Sequence, residues 1–390
     1  MTGTSELDIA LVGPAFPYRG GIAHFNERIL TGASDRGHAA SIFTFTRQYP
    51  ALLFPGKTQE TTSDPPPLQP IRCIDSLNPL TWLKAARLIK SRRPGVIVFH
   101  HWMPFFAPAF GVIARRLRRS GSRILVVVHN AIPHERRPGD IRLTRYFLSV
   151  ADGFVVLSDP VERDLRTLGY EQPIRCVQHP TYDNFGPAED RLLARRKLSL
   201  PERGPVLLFF GFIRKYKGLD TLISAMPSIV EFDATSRLVV AGEFYEDEAA
   251  YRNRLAELNL GDHVILHSDY IADRDVATYF SAADVVVQPY LSATQSGVAQ
   301  IAFNYDRPVI TTDVGGLAET VADGRTGLVV EPNSPEAIAD AVIRFFGENL
   351  GERMEEAVSR DKSRFGWQPV FDALYSLSGG SLNESGPDHG

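Results

Sequence analysis

Two cysteines among 390 residues, Cys73 and Cys176, cannot build a disulfide scaffold, and their separation matches no metal-ligand spacing. The compartment this suggests is a reducing cytoplasm. No run of about 18 apolar residues occurs, which excludes a membrane-spanning helix. The opening MTGTSELDIALVG has neither a basic n-region nor a small-residue cleavage site, so no secretory signal is expected. The dinucleotide fingerprint GxGxxG is missing, against a nicotinamide dehydrogenase. No Asp-x-Asp pair lies in a loop suited to a metal, so no metal is expected in the site. Nucleic acid is not an expected partner either: the pI is 6.2 and the basic residues are not interleaved with stacking aromatics.

What remains is an ordinary globular composition, 44% hydrophobic and 23% charged, in a chain long enough for two domains. Arginine outnumbers lysine 35 to 7, a bias that suits a GC-rich bacterial genome. The net charge of −4 hides an asymmetry: residues 1–185 carry 23 Lys+Arg against 15 Asp+Glu, whereas residues 186–390 carry 19 against 31. A positive half suits an anionic membrane or an anionic acceptor, or is a bias spread over solvated faces.

Short β-rich runs alternate with helical patterns throughout, the signature of parallel sheets flanked by helices. Six strands are expected in the first half: 7–13, 41–45, 96–101, 124–130, 153–158 and 174–178. Most are nearly continuous apolar runs, as strands buried on both faces should be. A stretch rich in proline, glycine and charge, 179–205, reads as a linker around one helix. Six more strands follow at 206–211, 237–242, 263–268, 284–289, 308–313 and 326–331, and then helices from about 335 to 376. In such sheets ligands bind outside the carboxyl ends of the strands.

Candidate residues therefore sit just after strands. Gly20 and Gly21 open a helix behind the first strand, where backbone N–H groups can receive an anion. His129 and Asn130 end the run VVVHN, and His100 and His101 end the preceding one. The stretch WMPFFAPAFGVIARRLRRS (102–120) carries Arg115, Arg116, Arg118 and Arg119, which lie on a membrane surface or form the solvated side of a helix. In the second half FFGFIRKYKGLDTLISA (209–225) sends Arg214, Lys215 and Lys217 out of a strand, a basic loop that suits a diphosphate. SATQSGVAQIAF (292–303) is a polar turn leading into a helix, and the glycines of DVGGLAE (313–319) again stand between strand and helix.

The order G-x-x-R-x-x-KG, AD-x-x-x-x-PY, a glycine helix start, PVI-x-T-x-x-GG-x-x-E and DG-x-TG-x-x-V resembles the family 4 glycosyltransferases over nearly the whole chain. The resemblance implies the GT-B fold, α/β, with two Rossmann-like doubly wound domains facing each other across a cleft. The division expected is 1–180 for the acceptor domain and 181–365 for the donor domain. A helix at 366–377 would return to the first domain, and 378–390 would be a disordered tail.

The activity implied is retaining transfer of a sugar from a nucleotide-diphosphate sugar, with a UDP-sugar favoured, to a hydroxyl on a lipid-linked or saccharide acceptor. No cofactor and no metal would be needed. By the resemblance Arg214 and Lys217 neutralise the leaving diphosphate, with Lys215 a weaker candidate, and His129 joins them as a catalytic residue. Gly20 and Gly21 join the donor site. The backbone N–H groups of Ser296, Gly297 and Val298 face the β-phosphate, Thr294 and Gln295 the sugar, Glu319 a ribose hydroxyl, and Tyr270 and Ile271 the base. The chain departs from the family in having no acidic residue from Val285 through Tyr305, where two glutamates are usual. The protein would be cytoplasmic, with peripheral contact to the inner face of the membrane through its basic N-terminal domain. Two other readings stay open: a nucleotide-sugar 2-epimerase of the same fold, and a non-catalytic sugar-nucleotide-binding partner subunit.

Overall fold

A computed structural model of the chain describes residues 7–50, 54, 56–61, 65–133 and 137–379. It divides into two compact units, one of Met1–Phe54, Gln59–Gln178 and Trp367–Gly390, the other of Pro55–Thr58 and His179–Gly366. The last helix, Gln368–Ser378, is thus part of the first unit, while most of the polar tail lies outside the described residues.

The first unit is built on seven parallel strands: β1 (Asp8–Val12), β2 (Ala39–Arg47), β3 (Ile71–Asp75), β4 (Val96–His101), β5 (Arg123–Val128), β6 (Gly153–Val156) and β7 (Ile174–Cys176). Their spatial order is β3-β2-β1-β4-β5-β6-β7. Six were expected, and β3 is the addition. It is one of the two edge strands, and of its residues IRCID only Ile74 is buried, so it lacks the apolar run that marks an interior strand. Every residue of β4 is buried, as the run VIVFHH requires.

Alternation along the strands sends Val12, Phe99, Val126 and Val128 into one core with Trp82, Phe106, Phe110 and Phe147. Three helices cover that face side by side: Pro79–Ser91, Ala107–Leu117 and Asp140–Leu148. The second and third approach closely because Gly111 leaves room for the Tyr146 ring. Arg115 lies 3.8 Å over that ring and donates to the Gly111 carbonyl at 3.0 Å. Of the four arginines in 102–120, this one is committed to helix packing, while Arg116, Arg118 and Arg119 are exposed. On the opposite face the last helix is seated on the helix Gly21–Asp35: Phe371 presses on Gly32 and beneath the Arg36 guanidinium, 3.9 Å from its ring.

The second unit has six parallel strands: β8 (Val206–Phe210), β9 (Arg237–Ala241), β10 (Val264–His267), β11 (Val285–Gln288), β12 (Val309–Thr312) and β13 (Gly327–Val330), in the order β10-β9-β8-β11-β12-β13. All six were expected. Asp284 ties the base of this sheet to the helix Arg191–Lys197, accepting from Arg195 at 2.7 Å and from the Val206 N–H at 2.8 Å. In each sheet the chain reverses direction of travel beside its first strand, between β1 and β4 and between β8 and β11. Those two switch points are where parallel sheets open a crevice.

Phe371 is 1% exposed. Its replacement by alanine is expected to destabilise the first unit by about 3–5 kcal/mol, as for other buried aromatics. Urea denaturation followed by circular dichroism checks this, and a change below about 1 kcal/mol would show that the last helix does not anchor there.

Candidate active site

The loop leaving β8 crosses the switch point of the second unit. Gly211 ends the strand, Ile213 is held by its N–H on the Glu243 carbonyl at 2.9 Å, and a single 3-10 turn, Lys215–Lys217, leads into the helix Leu219–Phe232. Gly218 makes the turn possible. Its φ is +70° and its Cα lies against the Pro289 carbonyl, where a side chain would collide. The Leu291 N–H then closes on the Tyr216 carbonyl at 2.7 Å, binding this loop to the one that leaves β11.

This architecture puts a lysine ammonium inside the protein. Lys217 is 7% exposed, its Nζ facing the bare Cα of Gly211 and lying 5.6 Å from the centre of the Tyr290 ring. Burial drives its pKa down to about 7, helped by the positive charge of Arg214. No described carboxylate contacts it. Arg214 itself is exposed, its guanidinium 4.9 Å from the Tyr245 ring centre, and Lys215 is exposed on the same turn. Arg214 and Lys217 thus share one loop, and neither forms an ion pair with a carboxylate among the described residues.

Val298 borders the same space, its side chain meeting the position a Gly211 Cβ would take. It belongs to the helix Gly297–Asn304, whose first turn receives no side-chain cap. Ser296 faces backward instead, accepting from Gln288 Nε2 at 2.8 Å. Gly297 packs closely on Tyr182: a side chain there would meet that ring at 3.0 Å and the ring would have to give way. The preceding stretch is pinned from behind. Thr312 Oγ1 donates to the Tyr290 carbonyl at 2.6 Å, the Gly316 N–H to the Thr294 carbonyl at 3.1 Å, and Gly315, at φ +54°, lies against the Ala293 carbonyl. The uncapped N–H groups at 297 and 298 therefore stand near Lys217 on a stiff frame, the geometry that attracts an oxyanion.

The structure brings Arg214, Lys217, Ser296, Gly297 and Val298 together and ties Thr294 to the glycine loop before Glu319. Glu319 is exposed, in the first turn of the short helix Leu317–Thr320. Tyr270 and Ile271 follow β10, and the Tyr270 ring stacks on Phe212 at 6.3 Å, which in turn lies 4.7 Å from Tyr245. Tyr245 was not singled out in the sequence. Phe212 occupies the position where family members often carry arginine, and here it extends an aromatic ladder that ends beneath Arg214. Gln300, on the helix Gly297–Asn304, is fully buried, and neither amide atom meets a partner among the described residues.

In the first unit Gly20, at φ +118°, caps the helix that Gly21 begins. His129 is 6% exposed and its Nε2 lies 2.9 Å from His100 Nδ1, the rings stacked at 5.2 Å and flanked edge-on by Phe25. Burial holds the His100 pKa down to about 3, so that ring is neutral at physiological pH. His129 thus meets His100, the last but one residue of the neighbouring strand β4. Among the described residues no three His, Cys, Asp or Glu side chains are grouped to hold a metal.

Both halves of this arrangement match known families. Residues 19–181 match the description Glycosyltransferase Family 4, and residues 204–348 match Glycosyl transferases group 1. The chain belongs to the family 4 glycosyltransferases. It is 33% identical over 210 residues to a D-inositol 3-phosphate glycosyltransferase of Streptomyces avermitilis, an alignment covering 51% of this chain and 45% of that protein. The chain thus spans about half the length of such curated relatives. Its fold is that of sucrose-phosphate synthase from Thermosynechococcus elongatus, at a TM-score of 0.72 and 22% identity, covering 95% of this chain and 98% of the other. Anabaena HepE in complex with UDP-glucose gives a TM-score of 0.72 at 16% identity, covering 95% and 98%. The GT-B class follows, with two Rossmann-like parallel-sheet units.

Lys217 gives a pH prediction. Its folded pKa lies below that of the unfolded chain, so the unfolded state binds the extra proton between about pH 7 and the unfolded value. Lys217 therefore makes stability rise with pH across that window and adds no slope below it. Lys217→Met is expected to raise the melting temperature at pH 7 by a few degrees and to flatten that rise. Thermal melts of both proteins from pH 6 to 10 measure it; a variant less stable than wild type at pH 7 would show that the ammonium is not a buried burden.

Proposed function

We propose that this chain is a retaining glycosyltransferase that moves a sugar from a nucleotide-diphosphate sugar, with a UDP-sugar favoured, to a hydroxyl of a lipid-linked or saccharide acceptor. The observation that carries the reading is the buried, unpaired Lys217 ammonium beside Arg214 and the uncapped helix start at 297–298. Three sources of positive potential converge where a diphosphate would sit. HepE, of the same fold, has been crystallised with UDP-glucose, and the Streptomyces relative is named for a phosphorylated acceptor.

In this reading the bond between the anomeric carbon and the β-phosphate oxygen breaks while the acceptor oxygen bonds to the same carbon from the same face. The acceptor proton passes to the departing phosphate. Negative charge grows on the diphosphate as the bond breaks, so Lys217, Arg214 and the helix N–H groups act more strongly on the transition state than on the bound donor. They supply what a metal would otherwise supply, and no carboxylate nucleophile is needed. Thr294 and Gln295 face the sugar, Glu319 a ribose hydroxyl, and the aromatic ladder at Tyr270 the base. His129, beside the neutral His100 ring, and the loop at Gly20 and Gly21 serve the sugar and acceptor side. The enzyme works in the cytoplasm, at the inner face of the membrane.

A thermal-shift screen against UDP, GDP, ADP, dTDP and their sugar conjugates, without and with Mg²⁺, tests the donor. A metal-independent shift from one nucleotide is expected. No shift from any would overturn the reading. With the donor identified, Arg214→Ala is expected to lower kcat at least tenfold, roughly 1.4 kcal/mol of barrier; unchanged kinetics would remove Arg214 from the catalytic machinery.

A further inference from the structure

The positive excess of the first half is not spread over it. Residues 76–149 hold 14 Lys and Arg against two Asp and Glu. The outer side of the helix layer Pro79–Ser91, Ala107–Leu117 and Asp140–Leu148 comes from this segment. The first two helices contain no acidic residue at all, and the third only Asp140, which is occupied by the Arg137 N–H at 2.8 Å. Lys84 and Arg87 on the first helix, Arg116 and Arg118 on the second and its extension, and Arg142 on the third are exposed and form no ion pair with a described carboxylate.

The apolar residues of the same layer are as unusual as its charge. Of nine exposed large hydrophobic side chains among the described residues, Leu77, Leu80, Leu88 and Tyr146 lie here, with Leu80 at 68% exposure. On the first helix Leu80, Lys84, Arg87 and Leu88 follow one another at steps of four, three and one, which places them on one exposed stripe. Leucines between bases on a helix that already buries its other face give a surface that is costly in water and well matched to an anionic interface. Nucleic acid is the poorer match. It would use exposed aromatics for stacking, and the one exposed here, Tyr146, is covered by Arg115.

We infer that this helix layer is the surface by which the enzyme docks on an anionic lipid bilayer, with the bases at the headgroups and Leu80 and Leu88 reaching the acyl boundary. The inference rests on the reading of a membrane-associated acceptor, and it names the residues that make the contact. Each basic side chain near an anionic leaflet adds a weak attraction, so the layer as a whole binds through the sum of many such contacts.

The test uses the full chain and sucrose-loaded vesicles of phosphatidylcholine alone or mixed equally with phosphatidylglycerol, sedimented at low and high salt. Binding is expected only to the mixed vesicles, and salt should weaken it. The double variant Lys84→Glu, Arg87→Glu is expected to lose at least tenfold in vesicle affinity. A charge-matched control on the second unit, Arg344→Glu with Arg353→Glu, should keep it. Absence of wild-type binding, equal binding to neutral vesicles, or equal loss in the control overturns the assignment. So does tight, salt-resistant binding of duplex DNA without vesicle binding. Nucleotide-induced thermal shifts measured on the same variants report the donor site separately, so failure of the surface and failure of the transfer reading are told apart.

Discussion

The ammonium of Lys217 is the constraint around which the second unit is arranged. A charge taken out of water destabilises the fold unless something compensates it, and here only a pKa near neutrality and the face of Tyr290 soften that cost. Burial is imposed by the turn itself. Gly218 lets the backbone fold back onto the Pro289 carbonyl, which carries Lys217 under Gly211, and Gly211 has no side chain to push it out. The Leu291–Tyr216 hydrogen bond then fixes the second loop to the first. A binding site whose charge is held in place before the ligand arrives needs little reorganisation during reaction, and that is the property electrostatic catalysis requires.

Much of this was legible in the sequence because it depends on chain-local signals. Nine of the thirteen strands lie inside their sheets and most of these are continuous apolar runs, while the edge strands β7, β10 and β13 also carry readable β-rich runs, so twelve of the thirteen announced themselves. The thirteenth, β3, sits at an edge with one buried residue, and an edge strand is defined by its neighbour more than by its own composition. Glycines placed between strand and helix likewise marked the two crevices. The basic loop was visible as a cluster, but its inequality was not: Arg214 and Lys215 remain in solvent while Lys217 is enclosed, a difference set by the turn at Gly218 and by Tyr290, more than seventy residues away.

What the sequence hid are the contacts made across the sheet. Phe212, Tyr245 and Tyr270 follow β8, β9 and β10, three adjacent strands, and become a ladder only when those strands lie side by side. The same holds for His100 and His129 at the ends of β4 and β5, where register brings two of their ring nitrogens to 2.9 Å. Each looked like a lone residue along the chain. Their meaning lies in pairing, which a one-dimensional pattern does not carry.

The neutral stretch at 292–303 gains a physical sense from Lys217. A glutamate at the mouth of this loop would sit near the buried ammonium, pair with it, raise its pKa toward that of an ordinary lysine and occupy the charge in the absence of ligand. The ammonium is shifted by burial and by another cation alone, with no acidic residue contributing, and the chain has no acid from Val285 through Tyr305. Amides and hydroxyls keep the stretch polar without competing for the cation. Gln300, buried with both amide atoms unsatisfied, belongs to the same logic, because a neutral side chain tolerates such a position where a carboxylate would not. Loss of the usual glutamates thus shifts the whole task of neutralising Lys217 onto whatever anion enters the site, which ties occupancy of the site and its full ionisation to the same event.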